Sequence, residues 1–236
     1  MRIILQPGFD GRESMAAYRA CRSLGVPFVV GGSQFAEPGD VPIGSVEYCE
    51  NVLGELGLSR PVPDFYPNWL ADRLHRLITS FRVTRDDVTL QGSVFLKSAD
   101  GYKVYPGKVY HDGHKIPRGR HRMSSLVQFV QEWRYYVADG QVVASGWYDG
   151  SDDNEPAPGL SIAWPAGFCG AVDFGRLSTG EIALVECHHG YACGWYGDDP
   201  ELFVLWQIEC WETLVESLSH GETGFSRLKL PTIPGS

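Results

Sequence analysis

The residues with the clearest capacity for chemistry are two acids on neighbouring strands, Asp173 and Glu186. The stretch 170–197, GAVDFGRLSTGEIALVECHHGYACGWYG, reads as a hairpin of AVDFGRL and EIALVE reversed at Leu177-Ser178-Thr179-Gly180. Ser, Thr and Gly favour a turn there between β-rich segments. Alternation puts Ile182, Leu184, Glu186 and His188 on one face of the second strand. Pairing Arg176 with Glu181 sets Asp173 opposite Leu184 and diagonal to Glu186. Such diagonal neighbours lie roughly 7–8 Å apart, a span that a hard cation and its waters can bridge. Isolated strand carboxylates mostly face water. The functional reading therefore leans on the residues beyond the strand end, His188, His189 and a Gly/aromatic run, because irregular backbone at such a point commonly builds sites.

Two cations stand on strands upstream. In SVFLKS, Val94 and Leu96 share one face and Phe95 and Lys97 the other. A lysine on such an apolar strand is costly unless its ammonium meets an anion or water, although an edge strand also uses lysine for solubility. In EWRYYV, Trp133, Tyr135 and Val137 alternate with Glu132, Arg134 and Tyr136. Arg134 beside Glu132 suits either a buried ion pair or a phosphate clamp. The cluster Cys187, His188, His189 and Cys193 raises zinc, but its spacing matches no common finger or ribbon, and adjacent strand residues face opposite ways.

The elements that position these groups read in order. RIILQP is a strand, and Glu13 to Leu24 an amphipathic helix offering Met15, Ala16, Tyr18, Ala20 and Cys21 to one face. Gly25 stops it, VPFVVGG is a second strand, and VPIG leads into a helix from about Ser45. This β/α alternation implies parallel strands. Pro61, Pro63 and Pro67 mark a connector and a boundary between units 1–62 and 63–236. Asn68 caps an expected helix through WLADRLHRLITSF, with Leu70, Leu74, Leu77, Ile78 and Phe81 as its stripe. Gly101 and Gly107 flank a hairpin-like flap, and Asp139-Gly140 is a hairpin turn into QVVASGWY. The acidic loop Asp149 to Pro158 reads as solvated, and a last helix from about Pro200 to Leu218 buries Leu202, Leu205, Trp206, Ile208 and Leu214. The tail LKLPTIPGS is expected to be loosely held.

Composition bounds the class. Hydrophobic residues make up 43% and aromatics 12%, which is ordinary globular composition. A net charge of −9 argues against a nucleic-acid surface. The compact basic patch His114 to Arg122 suits small-molecule phosphates or a solvated loop equally. No apolar run approaches the roughly 20 residues of a membrane helix. MRIILQPGFDG lacks the long apolar core of a signal peptide, and six cysteines without a CxxC pair read as reduced thiols. The expectation is a cytoplasmic protein with no membrane partner.

The order of elements resembles the ATP-grasp superfamily, and in particular its small clade named for two arginines and a lysine. The likeness is carried by VFLKS, EWRYYVADGQVV and VDFGRLSTGEIALVECHHGYACGWYG, across much of residues 93–197. It implies an α+β fold: an α/β preATP-grasp-like unit at 1–62, then an ATP-grasp domain with mostly antiparallel sheets. It also implies ATP- and Mg2+-dependent joining of a carboxylate to an amine through an acyl phosphate, the substrates being small molecules or peptides. By the resemblance Lys97 would touch the ATP phosphates, and Arg134 the γ-phosphate or the acyl phosphate. Leu126, Val127, Gln128 and Phe129 would line the adenine edge, and Asp173 and Glu186 would hold Mg2+. The family usually has Glu-x-Asn where this chain has Glu186-Cys187-His188. His188 offers nitrogen, which Mg2+ accepts less readily, so it would contact substrate or phosphate, or turn the site towards Mn2+. Arg176 and the group Arg118, Arg120 and Arg122 compete for the clade's other arginine. Three readings stand side by side: a ligase, a nucleotide-binding module without turnover, and a zinc or thiol protein. A homodimer is compatible with any of them.

Overall fold

The computed structural model describes residues 1–221 apart from 10, 87 and 103, so the tail LKLPTIPGS lies outside the described residues. The first unit is the expected α/β alternation. Strands β1 (Arg2–Leu5), β2 (Phe28–Val30) and β3 (Asp40–Ile43) form a parallel sheet in the order β2-β1-β3. Helix α1 (Arg12–Leu24) connects β1 to β2, a 3-10 turn at Ser33–Phe35 leads to β3, and helix α2 (Val46–Glu55) follows β3. Gly25, at φ 68°, closes α1 in the left-handed conformation that glycine adopts at no steric cost. The Ser45 side chain caps α2 by accepting from the Tyr48 N–H. On α1 the buried face is Ala17, Ala20 and Cys21, while the expected Met15 and Tyr18 are exposed.

A second sheet, order β4-β7-β5-β6, is built from β4 (Ile78–Val83), β5 (Val94–Ser98), β6 (Lys108–Tyr110) and β7 (Gly119–Ser124), all antiparallel. Here the expected helix 68–81 is wrong. Only Asn68–Arg73 turns, as a 3-10 segment, and it ends before His75 at φ 48°. The β-branched and aromatic run ITSFRV instead pairs with GRHRMS over six residues. The apolar stripe was coincidence, since Leu77 is 80% exposed.

The third sheet carries the hairpins read from the sequence. Strands β8 (Phe129–Ala138), β9 (Gln141–Gly150), β10 (Gly170–Leu177) and β11 (Ile182–His189) run antiparallel in the order β11-β10-β8-β9. One face packs Trp133, Tyr135, Val137, Val172, Phe174, Leu184 and Cys187 beneath Leu70 and Phe168. The other face puts Tyr136, Ala138 and Ala171 against helix α3 (Pro200–Ser219) and the parallel sheet. On α3 the buried side is Phe203, Val204, Trp206, Trp211 and Leu214; the expected Leu202 and Leu205 are exposed. Trp206 donates its indole N–H to Val137 O, tying the helix to β8. One core thus joins the first unit to α3. The acidic loop after β9 is tied down as well: Arg176 forks onto Glu155, and the Trp133 indole donates to Glu155 O. Among the described residues no helix is long and apolar enough to cross a membrane.

Asp40, 3% exposed, receives both Arg2 Nε at 3.0 Å and Nη2 at 2.6 Å, clamping β1 to β3. Burial acts to raise this carboxyl, but the Arg2 fork and the Glu37 N–H outweigh it and hold it below its ordinary value. A depressed carboxylate contributes stability above its unfolded pKa and loses it as pH falls through the folded value. Arg2→Met should therefore destabilise the protein near pH 7, by less than the loss of a fully buried pair because Arg2 is partly exposed. In urea denaturation the deficit should shrink as the pH drops below the carboxylate range. A deficit independent of pH would exclude the clamp.

Candidate functional site

The hairpin β10–β11 departs from strict alternation at one residue, and that residue makes the site. Asp173 pairs with Glu186 but Phe174 pairs with Leu184, so Val185 is an extra residue on β11. A bulge of this kind shifts the two-residue period by one. Ile182, Leu184 and Cys187 consequently face the lower core, whereas Glu186 and His188 face upward with Asp173. The expected common face for Ile182, Leu184, Glu186 and His188 is corrected accordingly, and the acids are direct cross-strand partners rather than diagonal ones. Cys187 points away from His188 into the apolar cluster, which removes it from any shared zinc set with that histidine.

The structure brings Asp173, Glu186 and His188 together, with one donor atom of each lying within 4.8 Å of the others. Arg134 arrives from β8, directly across from Asp173. Its Nε and Nη2 donate to the two Asp173 oxygens, both at 2.7 Å, and the pair is buried. Arg134 therefore pairs with Asp173 and not with Glu132. Tyr148 and Tyr196 stack on the guanidinium with ring centres 4.9 and 5.4 Å away. Burial alone would raise the Asp173 carboxyl and lower Arg134, but their mutual charge and hydrogen bonds win. Asp173 is held far below the usual carboxylate range and Arg134 stays charged.

Lys97 comes from the other sheet. Its ammonium meets Glu186 and lies 4.1 Å over the Phe65 ring, with burial pushing its pKa down to about 7. His188 Nε2 is buried between the two acids, 2.6 Å from Glu186 Oε1 and 3.7 Å from Asp173 Oδ2. Burial pushes the imidazole down to about 4, so it is neutral at pH 7. A neutral ring nitrogen caught between two carboxylates fits a cation among the three. Two hard oxygen donors with one imidazole suit Mg2+ and, better, Mn2+. The residues present therefore fit the metal that the sequence resemblance implies.

Two cavities meet at these groups. A cleft of about 680 Å3 is lined by Leu126, Val127, Gln128 and Phe129 at one end and by Lys97, Glu132 and Glu186 at the other. The expected hinge segment thus faces the same space as the charged cluster. Glu132 is pushed up to about 7 by burial and by Asp173 and Asp149. A smaller cavity of about 280 Å3 lies beyond the cluster, against Arg134, His188, Tyr102, Tyr148, Tyr191 and Tyr196. Tyr102, on the flap after β5, stacks on His188 and accepts the His189 N–H at 3.3 Å.

Arg176 is not in the cleft. Three residues from Asp173, it falls on the opposite face, where it pairs with Glu155 and lies 5.7 Å over Trp133. Arg118 meets Asp86 and Arg120 meets Asp100, whereas Arg122 meets Ser80 and stands directly across the ladder from Lys97. Sequence reasoning missed Arg76, which lines the cleft from the segment misread as helix. The strand character of ITSFRV was the signal that could have found it.

A family model described as the ATP-grasp domain, R2K clade family 2, matches residues 74–205, more than half of the chain, and the protein belongs to this family. ATP-grasp enzymes are ATP-dependent ligases that form carbon–nitrogen bonds. No curated protein matches. Among solved structures, the chain is similar to the ATP-grasp ligase PsnB complexed with a minimal precursor, at 12% identity and TM-score 0.46, covering 88% of this chain and 98% of that one. It is also similar to the D-alanine–D-alanine ligase of Bacillus anthracis complexed with ATP, at 10% identity and TM-score 0.45, covering 94% and 98%. A RimK domain ATP-grasp protein of Sphaerobacter thermophilus DSM 20745 aligns at 12% identity and TM-score 0.44, over 93% and 100%.

Because Asp173 is buried against a fixed guanidinium, Asp173→Asn leaves an uncompensated charge. It should cost about 3–5 kcal/mol, much of which Arg134→Met in the same chain should restore. Urea unfolding of the two single variants and the double variant measures this coupling. Additive losses would show that the pair is not the buried unit described.

Proposed function

We propose that the protein couples ATP hydrolysis to joining a carboxylate and an amine, with Mg2+ or Mn2+ held by Asp173, Glu186 and His188. One observation carries this reading. Two cations and two acids converge where a hinge-lined cleft of about 680 Å3 meets a second cavity of about 280 Å3. The larger cleft suits the nucleotide, with Leu126 to Phe129 along the adenine. The smaller cavity suits the carboxylate and amine, whether from small molecules or a peptide. The unit 1–62 serves as the preceding α/β module, and Val46 of that unit lines the smaller cavity.

In the resting arrangement Lys97 is neutralised by Glu186 and Arg134 by Asp173. Nucleotide entry would let Lys97 turn from Glu186 to phosphate oxygens and leave Glu186 to the cation, while Arg134 keeps its fork on Asp173 and meets the ligand from the wall of the smaller cavity. No isolated charge is then exposed at either stage. Lys97 holds the β- and γ-phosphates, and Arg134 steadies the γ-phosphoryl group as the substrate carboxylate attacks it. The products of that step are ADP and an acyl phosphate, from which the amine displaces phosphate. A bound divalent cation neutralises phosphate charge. The chain supplies positioning and electrostatics and needs no covalent nucleophile. His188 is held by Tyr102 and turned at the acids, so its nitrogen completes the donor set.

Titration calorimetry with a non-hydrolysable ATP analogue should show binding strengthened by Mg2+ and weakened at least about tenfold by Lys97→Ala, an interaction of about 1.4 kcal/mol. No binding in either condition would sink the ligase reading. For turnover, Glu186→Gln is the informative change, because Asp173→Asn would also disturb the fold. Phosphate release in a screen of carboxylate–amine pairs should fall by about 100-fold or more in this variant with circular dichroism unchanged, given the weight of preorganised charge at such sites. Binding without release in every pair would favour a nucleotide-binding module. His188→Asn should move the cation preference from Mn2+ towards Mg2+ by about tenfold, read as the ratio of the two affinities in the nucleotide complex. An unchanged ratio would place His188 outside the metal shell.

A further inference from the structure

The bulge that turns Glu186 and His188 into the cleft is held from outside the sheet. Val185, the extra residue, has no partner across the ladder to β10, and β11 is the edge strand there. An unpaired carbonyl at such a point must find another donor. Arg76 supplies two: Nη1 donates to Leu184 O, and Nη2 donates to Val185 O at 2.9 Å. Its guanidinium is fixed in turn by Leu74 O at 3.3 Å and by the rings of Tyr66 and Phe129, 5.4 and 5.5 Å from the carbon. The neighbouring segment also secures the bulge from its other side, where Cys187 N–H donates to Phe65 O at 2.9 Å. A planar fork suits two successive carbonyls in a way a lysine ammonium does not.

We propose that Arg76 is the positioning residue of the metal site: it locks the Val185 bulge, and the bulge is what presents Glu186 and His188 to the cation. This rests on the metal role assigned above to Asp173, Glu186 and His188. Arg76 touches no proposed ligand atom and acts through the backbone of β11. Without the fork the carbonyls of Leu184 and Val185 lose their donor, the bulge on this edge strand loosens, and Glu186 and His188 are no longer held at one height over the cleft.

The test uses the full chain and two separate affinities. ADP binding is measured by calorimetry in EDTA, and Mn2+ binding by electron paramagnetic resonance at saturating ADP. In Arg76→Met the Mn2+ dissociation constant should rise by about 10–100-fold, the range seen when a residue that orients a metal ligand is removed. ADP affinity in EDTA should fall by a clearly smaller factor than the Mn2+ affinity, because Arg76 also borders the nucleotide cleft, and millimolar guanidinium ion should restore part of the Mn2+ affinity. Unchanged Mn2+ affinity would overturn the proposal, and so would a parallel loss of both affinities, which would make Arg76 a nucleotide contact. If Arg76→Met does not fold, Arg76→Lys is measured instead and should show the same split at smaller size. Wild-type protein that binds neither ADP nor Mn2+ would instead overturn the ligase reading beneath the proposal, so the two failures are distinguishable.

Discussion

The fork between Arg134 and Asp173 is the interaction on which the rest of the site depends. It joins β8 to β10 with two charge-assisted hydrogen bonds of 2.7 Å in a place where neither partner reaches water. A pair of this kind adds little net stability over well-packed apolar side chains, but removing one member leaves the other stranded. Its value is geometric. It sets the height of Arg134 over the cleft, with two tyrosine rings stacked on the guanidinium, and it keeps Asp173 ionised beside Glu186. The same face of the sheet runs from Tyr136, Ala138 and Ala171, packed against α3, to this charged end. Core and site are therefore two ends of one surface.

The charges in the cleft compensate one another before any ligand arrives. Lys97 meets Glu186, Arg134 meets Asp173, and His188 remains neutral among the acids. Burial is what makes this pairing necessary, because an unpaired ammonium or carboxylate at these positions would be driven to neutrality. A site so arranged can exchange partners without exposing a bare charge, which suits a polyanionic ligand accompanied by a cation. The lysine comes from the sheet β4-β7-β5-β6 and the acids from β11-β10-β8-β9, so the Lys97–Glu186 pair bridges the two sheets.

Arg76 and the bulge add a second layer of control. A single extra residue, Val185, decides whether β11 points Glu186 at the cleft or at the core. The guanidinium that binds its carbonyl belongs to a segment between a 3-10 turn and β4. Edge strands are the places where pairing is least constrained, so an outside clamp is physically appropriate there.

Much was legible from residue order. The alternation in EWRYYV and AVDFGRL, the turn at Asp139-Gly140 and the β/α alternation of the first unit have local causes, namely period two, turn chemistry and helix caps. Lys97, Arg134, Asp173, Glu186 and His188 were visible because charged groups on apolar strands need partners. What failed, failed where distant pairing overrides local pattern. ITSFRV carries both a helical stripe and β-branched residues, and only the presence of GRHRMS alongside chose the strand. The face of Glu186 turned on a bulge that leaves no mark in the alternation of EIALVE, and Arg176 went to the far face by parity. The sequence by itself determined which charges had to be paired and on which strands they lay. Only the tertiary structure decided which pairs form, because a bulge and a clamp 108 residues apart, from Arg76 to Leu184, set the register across the sheet.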